Sequence, residues 1–86
     1  MPRALSIKRS IVPLSERTKY LERLKTRKDH YKRAACEFWV FEEGALPGAF
    51  IEFVEAADAP TLEAAHAAAP EPVLDPARIY TEVELN

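Results

Sequence analysis

His66 carries the most versatile chemistry in this sequence. It follows Leu62 by four residues in an alanine-rich segment, so the two side chains share one face of a predicted helix. An imidazole there can bind a metal, act as a general base or orient a substrate by hydrogen bonding. It can equally be a partly buried histidine whose ring hydrogen-bonds the sheet or the following loop. We take His66 as the candidate catalytic residue.

Five other side chains could line a site for a small molecule. Trp39 and Phe41, on one predicted strand, could stack an aromatic substrate together with Phe50 on the next, although such residues more often fill ordinary cores. The alternation of strand residues places Lys8, Glu52 and Tyr80 on the same sheet face as Trp39 and Phe41. A buried contact between Lys8 and Glu52 could poise a proton-transfer group, and the simpler alternative is a cross-strand ion pair. A shift of one residue in register would reverse each assignment.

Cysteine and histidine are too scarce to build a metal site from these residues alone. Cys36 is the only cysteine, which excludes an internal disulfide and a zinc site made of cysteine pairs. His30 and His66 are the only histidines, so a metal would need carboxylates from distant segments. His30 lies in a basic segment and is expected at the solvated surface. We therefore predict no metal site.

The chain is short for an independently stable domain. Its 86 residues form one predicted domain, 1–86, and a domain of this size buries only about 60% of the surface that its unfolded chain exposes. Disulfides, metals or oligomerisation usually supply the missing stability. Because the sequence argues against the first two, we expect a homodimer.

The sequence also predicts a cytoplasmic location without a membrane anchor. No stretch approaches the ~20 apolar residues of a membrane span, and charged residues interrupt the apolar runs of the N-terminal segment. The free thiol of Cys36 suits a reducing compartment.

Six elements are needed to position these residues. Apolar and polar residues alternate over 4–12, which is typical of a half-buried strand, and Pro13 ends it. Ser15 and Asp58 stand at N-cap positions, and Pro60 suits the first turn of the second helix. The predicted strands and helices are strands 4–12, 36–43, 49–55 and 79–85 and helices 15–33 and 58–69. A connector without helix precedes the last strand, because it contains three prolines: Pro70, Pro72 and Pro76.

This order of elements predicts an α+β fold, with a four-stranded antiparallel sheet and two helices on one face. The helices can cover only that face. Large apolar side chains are expected on the other face: Trp39, Phe41, Phe50 and Val54. A second copy packed sheet against sheet would bury them, and any space left between the sheets would suit a small ligand.

The segment from Pro47 to Pro70 reads PGAFIEFVEAADAPTLEAAHAAAP. It resembles antibiotic biosynthesis monooxygenase-like proteins of the dimeric α+β barrel superfamily, in which a proline-glycine pair, an apolar strand and a glutamate lead into a helix carrying Leu-x-x-x-His. The matching positions are Pro47-Gly48, Glu55, Leu62 and His66. The resemblance implies a ferredoxin-like βαββαβ fold whose sheets pair in a dimeric barrel.

The resemblance also bears on cofactors. The haem-degrading branch of that superfamily has a catalytic asparagine on its first strand, together with a tryptophan and a haem-ligating histidine. This sequence offers Trp39 and His66, but its only asparagine is Asn86. We therefore expect no cofactor. The family also includes enzymes that oxidise quinols and polyketides without a metal, which is consistent with this expectation.

Two hypotheses about function follow. In the first, a cofactor-independent monooxygenase-like enzyme holds an aromatic or quinol-type compound between Trp39 and Phe41 while His66 orients or deprotonates it. In the second, the chain is a non-enzymatic dimer that binds a small ligand or acts as a scaffold. The second is slightly favoured, since the sequence contains no evident acid, base and nucleophile set.

Nucleic-acid binding is a third hypothesis. Residues 1–35 carry eleven basic and three acidic side chains (net +8), and 36–86 carry one basic and eleven acidic (net −10). Such asymmetry marks either an anionic partner or a solvated basic helix. The run 48–53 is similar to the third strand of the RNA-recognition motif, but the first strand has no aromatic residue to stack a base. We expect no nucleic-acid partner.

Overall fold

The computed structural model describes residues 2–70 and 79–85. Four strands, two helices and one short 3-10 turn follow one another along the chain: β1 (Ala4–Ile11), the 3-10 turn (Leu14–Glu16), α1 (Arg17–Arg33), β2 (Glu37–Glu42), β3 (Ala49–Ala56), α2 (Ala59–Ala67) and β4 (Ile79–Thr81). Among these residues no helix is long and apolar enough to cross a lipid bilayer. Pro72 and Pro76 of the predicted connector lie outside the described residues.

The strands form one antiparallel sheet in the order β2-β3-β1-β4. The central strands β1 and β3 pair along their whole length, from Ala4 opposite Ala56 to Ile11 opposite Ala49. The α+β class, the four antiparallel strands and the two helices that the sequence predicts are therefore confirmed.

Strand β4 is shorter than predicted. It pairs with β1 at only three positions, and the amide of Glu82 then donates to the carbonyl of Arg3 at 2.8 Å. Residues 82–85 are not in strand conformation, so the predicted strand over 79–85 ends after Thr81.

Helix α1 begins later than predicted and ends at a left-handed residue. Ser15 lies inside the 3-10 turn, and Glu16 takes the N-cap position without a side-chain capping bond. At the other end Ala35 has φ +62°, a conformation that is costly for a residue with a Cβ. The amide of Cys36 donates to the carbonyl of Tyr31 at 2.8 Å, which closes a Schellman-type cap.

Helix α2 begins where the sequence predicts. The Asp58 carboxylate accepts a hydrogen bond from the amide of Thr61 at 2.8 Å, and Pro60 occupies the first turn. This hydrogen bond lowers the pKa of Asp58. The cap fixes the start of the helix and thereby the positions of Leu62 and His66 one and two turns later, both of which are buried.

The two faces of the sheet have different surroundings. Helices α1 and α2 pack on the face formed by alternate residues of β1 and β3, here called the helix face, which includes Ser6, Phe50 and Val54. The opposite face, here called the open face, contains Leu5, Ile7, Arg9, Trp39, Phe41, Ile51, Phe53, Glu55 and Tyr80. The prediction that Phe50 and Val54 share a face with Trp39 and Phe41 is therefore wrong, and Ile51 and Phe53 take their places.

A buried ion pair connects α1 to the helix face. Arg27 Nη1 lies 2.9 Å from Glu52 Oε1, and the side chains are only 6% and 1% exposed. The hydroxyl of Tyr20 donates to the other oxygen of Glu52 at 3.0 Å. Within the described residues, Arg27 Nε and Glu52 Oε1 have no hydrogen bond, so the contact between Nη1 and Oε1 is an ion pair outside hydrogen-bond geometry.

Removing one member of this ion pair should lower the free energy of unfolding more than removing both. Arg27→Met leaves a buried carboxylate without its counter-charge, and we expect the free energy of unfolding to fall by about 3 kcal/mol or more. Arg27→Met/Glu52→Met leaves neither charge in the core and should be more stable than Arg27→Met alone, as measured by urea denaturation.

Arg17→Met is the matched control for this experiment. It breaks another pair between α1 and the sheet, with Glu42, whose side chain is 29% exposed, and it should cost much less stability. A double variant less stable than Arg27→Met would contradict the expected cost of the unpaired carboxylate.

Candidate functional site

The structure divides the predicted site residues between the two faces of the sheet. His66 and Glu52 lie on the helix face and are buried, whereas Trp39, Phe41 and Tyr80 lie on the open face. The sheet therefore separates His66 from the aromatic residues with which it was expected to share a substrate.

Lys8 and Glu52 are placed on the wrong face by the sequence prediction. The two residues do stand opposite each other on β1 and β3, as expected of neighbouring strands. Both belong to the helix face, however, where Glu52 pairs with Arg27 and Lys8 is exposed. Strand β3 has bulky apolar side chains on both faces, so its alternation alone could not show which face meets the helices.

His66 is held through both nitrogens of its ring. Nε2 lies 2.7 Å from the hydroxyl of Ser6 on β1, and Nδ1 lies 2.9 Å from the hydroxyl of Tyr31 on α1. The imidazole is only 4% exposed and packs edge-on against the ring of Tyr31. This is the arrangement of the second interpretation of His66, a buried histidine bonded to the sheet.

Burial determines the protonation of this group of side chains. It lowers the pKa of His66 below its ordinary value, and the nearby charges of Arg27 and His30 act in the same direction. Burial also raises the pKa of Tyr31, so its hydroxyl keeps its proton at neutral pH. A neutral imidazole donates from one nitrogen and accepts at the other, and each hydroxyl can play either part.

Six polar side chains are buried between the helices and the sheet: Ser6, Tyr20, Arg27, Tyr31, Glu52 and His66. Burial and the Glu52 carboxylate raise the pKa of Tyr20. Buried titratable groups with shifted pKa values are a common feature of functional sites, although structural networks show them too. We call this set the buried polar cluster.

Sequence reasoning found only part of the buried polar cluster. Neither Tyr31 nor Ser6 was among the predicted site residues, although both are buried and their hydroxyl groups bond the two nitrogens of His66. His30 was expected at the surface, whereas it is half-buried and donates from Nε2 to the carbonyl of Ala65 at 2.8 Å.

The open face has an apolar centre and charged ends. Ile7, Phe53 and Trp39 lie side by side across three strands. In the next row of this face Ile51 pairs with Phe41, whose ring meets that of Phe53 edge-on with centroids 5.7 Å apart. Trp39 and Phe41 are 42% and 57% exposed. Arg9 lies at one end of the face, and the charged residues at the other end are Arg3, Glu37, Glu55 and Glu82.

A cavity of about 280 Å³ lies at one end of the open face, beside β1 and β4. Its lining residues are Arg3, Ala4, Leu5, Glu55, Tyr80, Thr81 and Glu82. The predicted liner Tyr80 therefore borders a cavity in the single chain, whereas none of the other four predicted liners borders this one. We call it the β4 cavity.

Comparisons with known proteins do not assign a function to this chain. Comparison with protein-family models, with curated proteins and with solved structures finds no match. Within the described residues, no three histidine, cysteine or acidic side chains stand close enough together to hold a metal ion. Cys36 is buried, which raises the pKa of its thiol and makes it a poor nucleophile.

The lowered pKa of His66 predicts a dependence of stability on pH. The unfolded chain binds a proton at His66 more readily than the folded chain does. The contribution of neutral His66 to the free energy of unfolding is therefore fully present above pH 6.5, and it is lost as the pH falls from 6.5 through the lowered pKa of the folded state. In His66→Gln the amide can still donate to one hydroxyl and accept from the other, so we expect a shallower loss. Urea denaturation from pH 7.5 to 5 tests this.

His30→Gln is the control for this measurement, since it leaves the bonds of His66 to Ser6 and Tyr31 in place. It removes only the smallest of the causes that lower the pKa of His66, so its slope should change less than that of His66→Gln. Carboxylates also lose stability in acid, so the difference between each variant and the wild type is the quantity to compare. Equal slopes in wild type and His66→Gln would contradict the assignment.

Proposed function

We propose that this chain is a ferredoxin-like domain that forms a homodimer by packing open face against open face, and that it binds a small apolar or aromatic compound between the two sheets. The observation that carries this proposal is the apolar patch at the centre of the open face, in which Trp39 and Phe41 are exposed and Phe53 is half-buried. The buried thiol of Cys36 is compatible with a cytoplasmic location.

The connectivity supports the ferredoxin-like part of the proposal. Taken from its other edge, the antiparallel sheet has the order β4-β1-β3-β2, and a helix follows each of the central strands. This is the arrangement implied by the resemblance of residues 47–70 to antibiotic biosynthesis monooxygenase-like proteins. The resemblance and the strand order are separate observations that favour one fold.

The anatomy of the open face supports a second copy as its occupant. An apolar centre enclosed by charged residues is typical of protein interfaces. A small domain also gains most from such burial, because its own core supplies only a few kcal/mol. One end of the open face has three carboxylates, those of Glu37, Glu55 and Glu82, against the one guanidinium of Arg3, and the other end has Arg9. Two copies packed with their strands running in opposite directions would therefore match opposite charges.

The placement of His66 favours binding over catalysis at the open face. A compound held by Trp39 and Phe41 would have the sheet between itself and the imidazole. The open face offers aromatic surface but not the proposed base, so its chemistry suits a ligand-binding or scaffold function.

Substituting one aromatic residue should dissociate the proposed dimer. Phe41→Asp places a charge in the apolar centre, and we expect the dimer dissociation constant to rise at least about thirtyfold, as for a central interface residue. Leu46→Asp is the control, because Leu46 is similarly exposed, at 51%, but lies in the hairpin loop. Sedimentation velocity over a concentration series measures the effect, and a wild type that is monomeric at micromolar concentration would contradict the pairing.

We propose an oxygenase as the second candidate function, located at the buried polar cluster. The observation that favours it is a neutral imidazole placed between two hydroxyl groups, those of Ser6 and Tyr31. A quinol-type hydroxyl that displaced one of these hydroxyls could give its proton to His66. The anion would then form a carbon–oxygen bond with O₂, take the proton back from His66 as a hydroperoxide, and lose water as the O–O bond breaks to leave a carbonyl, so that O₂ is both the oxidant and the oxygen source.

Oxygen uptake tests this second candidate. With a panel of hydroquinones and hydroxylated aromatics, uptake should occur in the wild type, fall to background in His66→Gln and persist in Trp39→Leu, which alters only the open face. Absence of uptake with every compound would eliminate the oxygenase. A Soret shift on adding haem that is lost in His66→Gln would instead indicate a haem protein.

A further inference from the structure

The β4 cavity differs chemically from the rest of the open face. Its apolar side is formed by Leu5 and Tyr80, which stand directly opposite each other on β1 and β4. Its polar side contains one guanidinium, that of Arg3, and two carboxylates, those of Glu55 and Glu82. We infer that this cavity binds a small apolar or aromatic amine in its cationic form, an inference that rests on the proposed ligand-binding function and names its ligand class.

The ion pairs within the cavity leave one carboxylate oxygen available. Glu82 uses both of its oxygens on Arg3, with Oε1 3.1 Å from Nε and Oε2 2.7 Å from Nη2. Among the described residues Glu55 uses only one oxygen, with Oε1 3.1 Å from Nη1. Two carboxylates therefore share one guanidinium, and Oε2 of Glu55 is the acceptor that a ligand ammonium group can reach.

The ion pair favours the charged forms of Arg3 and Glu82. The guanidinium of Arg3 lowers the pKa of Glu82 by hydrogen bonding and by its charge, and the carboxylates raise the pKa of Arg3. The described lining residues include one guanidinium and two carboxylates, which gives a formal net charge of −1. An anionic ligand would meet a guanidinium already engaged by two carboxylates, whereas a cation supplies the missing positive charge.

The apolar side suits a ligand with one ring. A volume of about 280 Å³ lies near the lower limit of the ~300–1,000 Å³ typical of small-molecule sites. Tyr80 is 55% exposed, so its ring has surface available for stacking. An aromatic face also attracts an ammonium group, which adds to the preference for a cation.

Three probes with one ring, similar size and different charge test the inference: benzylamine, benzyl alcohol and benzoate. Because a partly exposed ion pair strengthens binding only modestly, we expect benzylamine to bind up to about fivefold more tightly than benzyl alcohol. Benzoate should bind most weakly. Amide chemical shifts in NMR titrations should change at Leu5, Tyr80 and Thr81, and the preference should diminish at 1 M salt, where the Debye length is about 3 Å.

Two variants distinguish binding in the β4 cavity from non-specific attraction of amines to negative charge. Glu55→Gln removes the available carboxylate and should abolish the difference between benzylamine and benzyl alcohol. Glu43→Gln is the matched control, because it removes one negative charge from an exposed hairpin position that does not line the cavity. Benzoate binding as tightly as benzylamine, an unchanged preference in Glu55→Gln or shifts located elsewhere would overturn the inference.

Sedimentation in the same samples distinguishes this inference from the proposed pairing. A dimer that binds none of the three probes overturns the amine inference and leaves the pairing intact. A monomer that binds benzylamine beside Tyr80 overturns the pairing and supports the inference.

Discussion

The buried contact between Arg27 and Glu52 is the constraint on which the arrangement of this domain depends. Removing two charges from water is costly, and in so small a core it is tolerated only where the charges meet and further hydrogen bonds compensate them. Tyr20 supplies one such bond. Because Glu52 must face α1, its neighbours Ile51 and Phe53 must face the other way. The apolar character of the open face therefore follows from a polar interaction on the opposite side of the sheet.

The elements of the fold were largely predictable, because each depends on local patterns. Alternation identified β1, and Asp58 identified the start of α2 through the capping bond it makes. The faces of β3 were not predictable in the same way. A glutamate among apolar strand residues is ordinarily placed toward solvent, and the arginine that neutralises Glu52 lies 25 positions earlier on a helix. Only the packed structure brings the two together.

The contacts of the candidate site residues were equally hard to predict from the sequence. His66 was singled out by residue type and helical spacing, but its partners come from β1 and α1, and no spacing rule connects them. Trp39, Phe41 and Tyr80 were correctly identified as surface of the sheet that the helices leave exposed. The residues were thus found individually, and their division between two faces required the register of the sheet.

The short pairing between β1 and β4 affects how copies of this chain associate. Sheet edges with unpaired backbone groups are templates for strand addition, which leads to open-ended aggregates. Here β4 pairs with β1 at only three positions, and the part of β1 beyond it carries Lys8 and Arg9. The other edge strand, β2, has glutamates at both ends. Short strands and charged side chains make both edges poor templates for growth into fibrils. An apolar sheet surface can then be tolerated, since contact through the faces of two sheets closes after two copies.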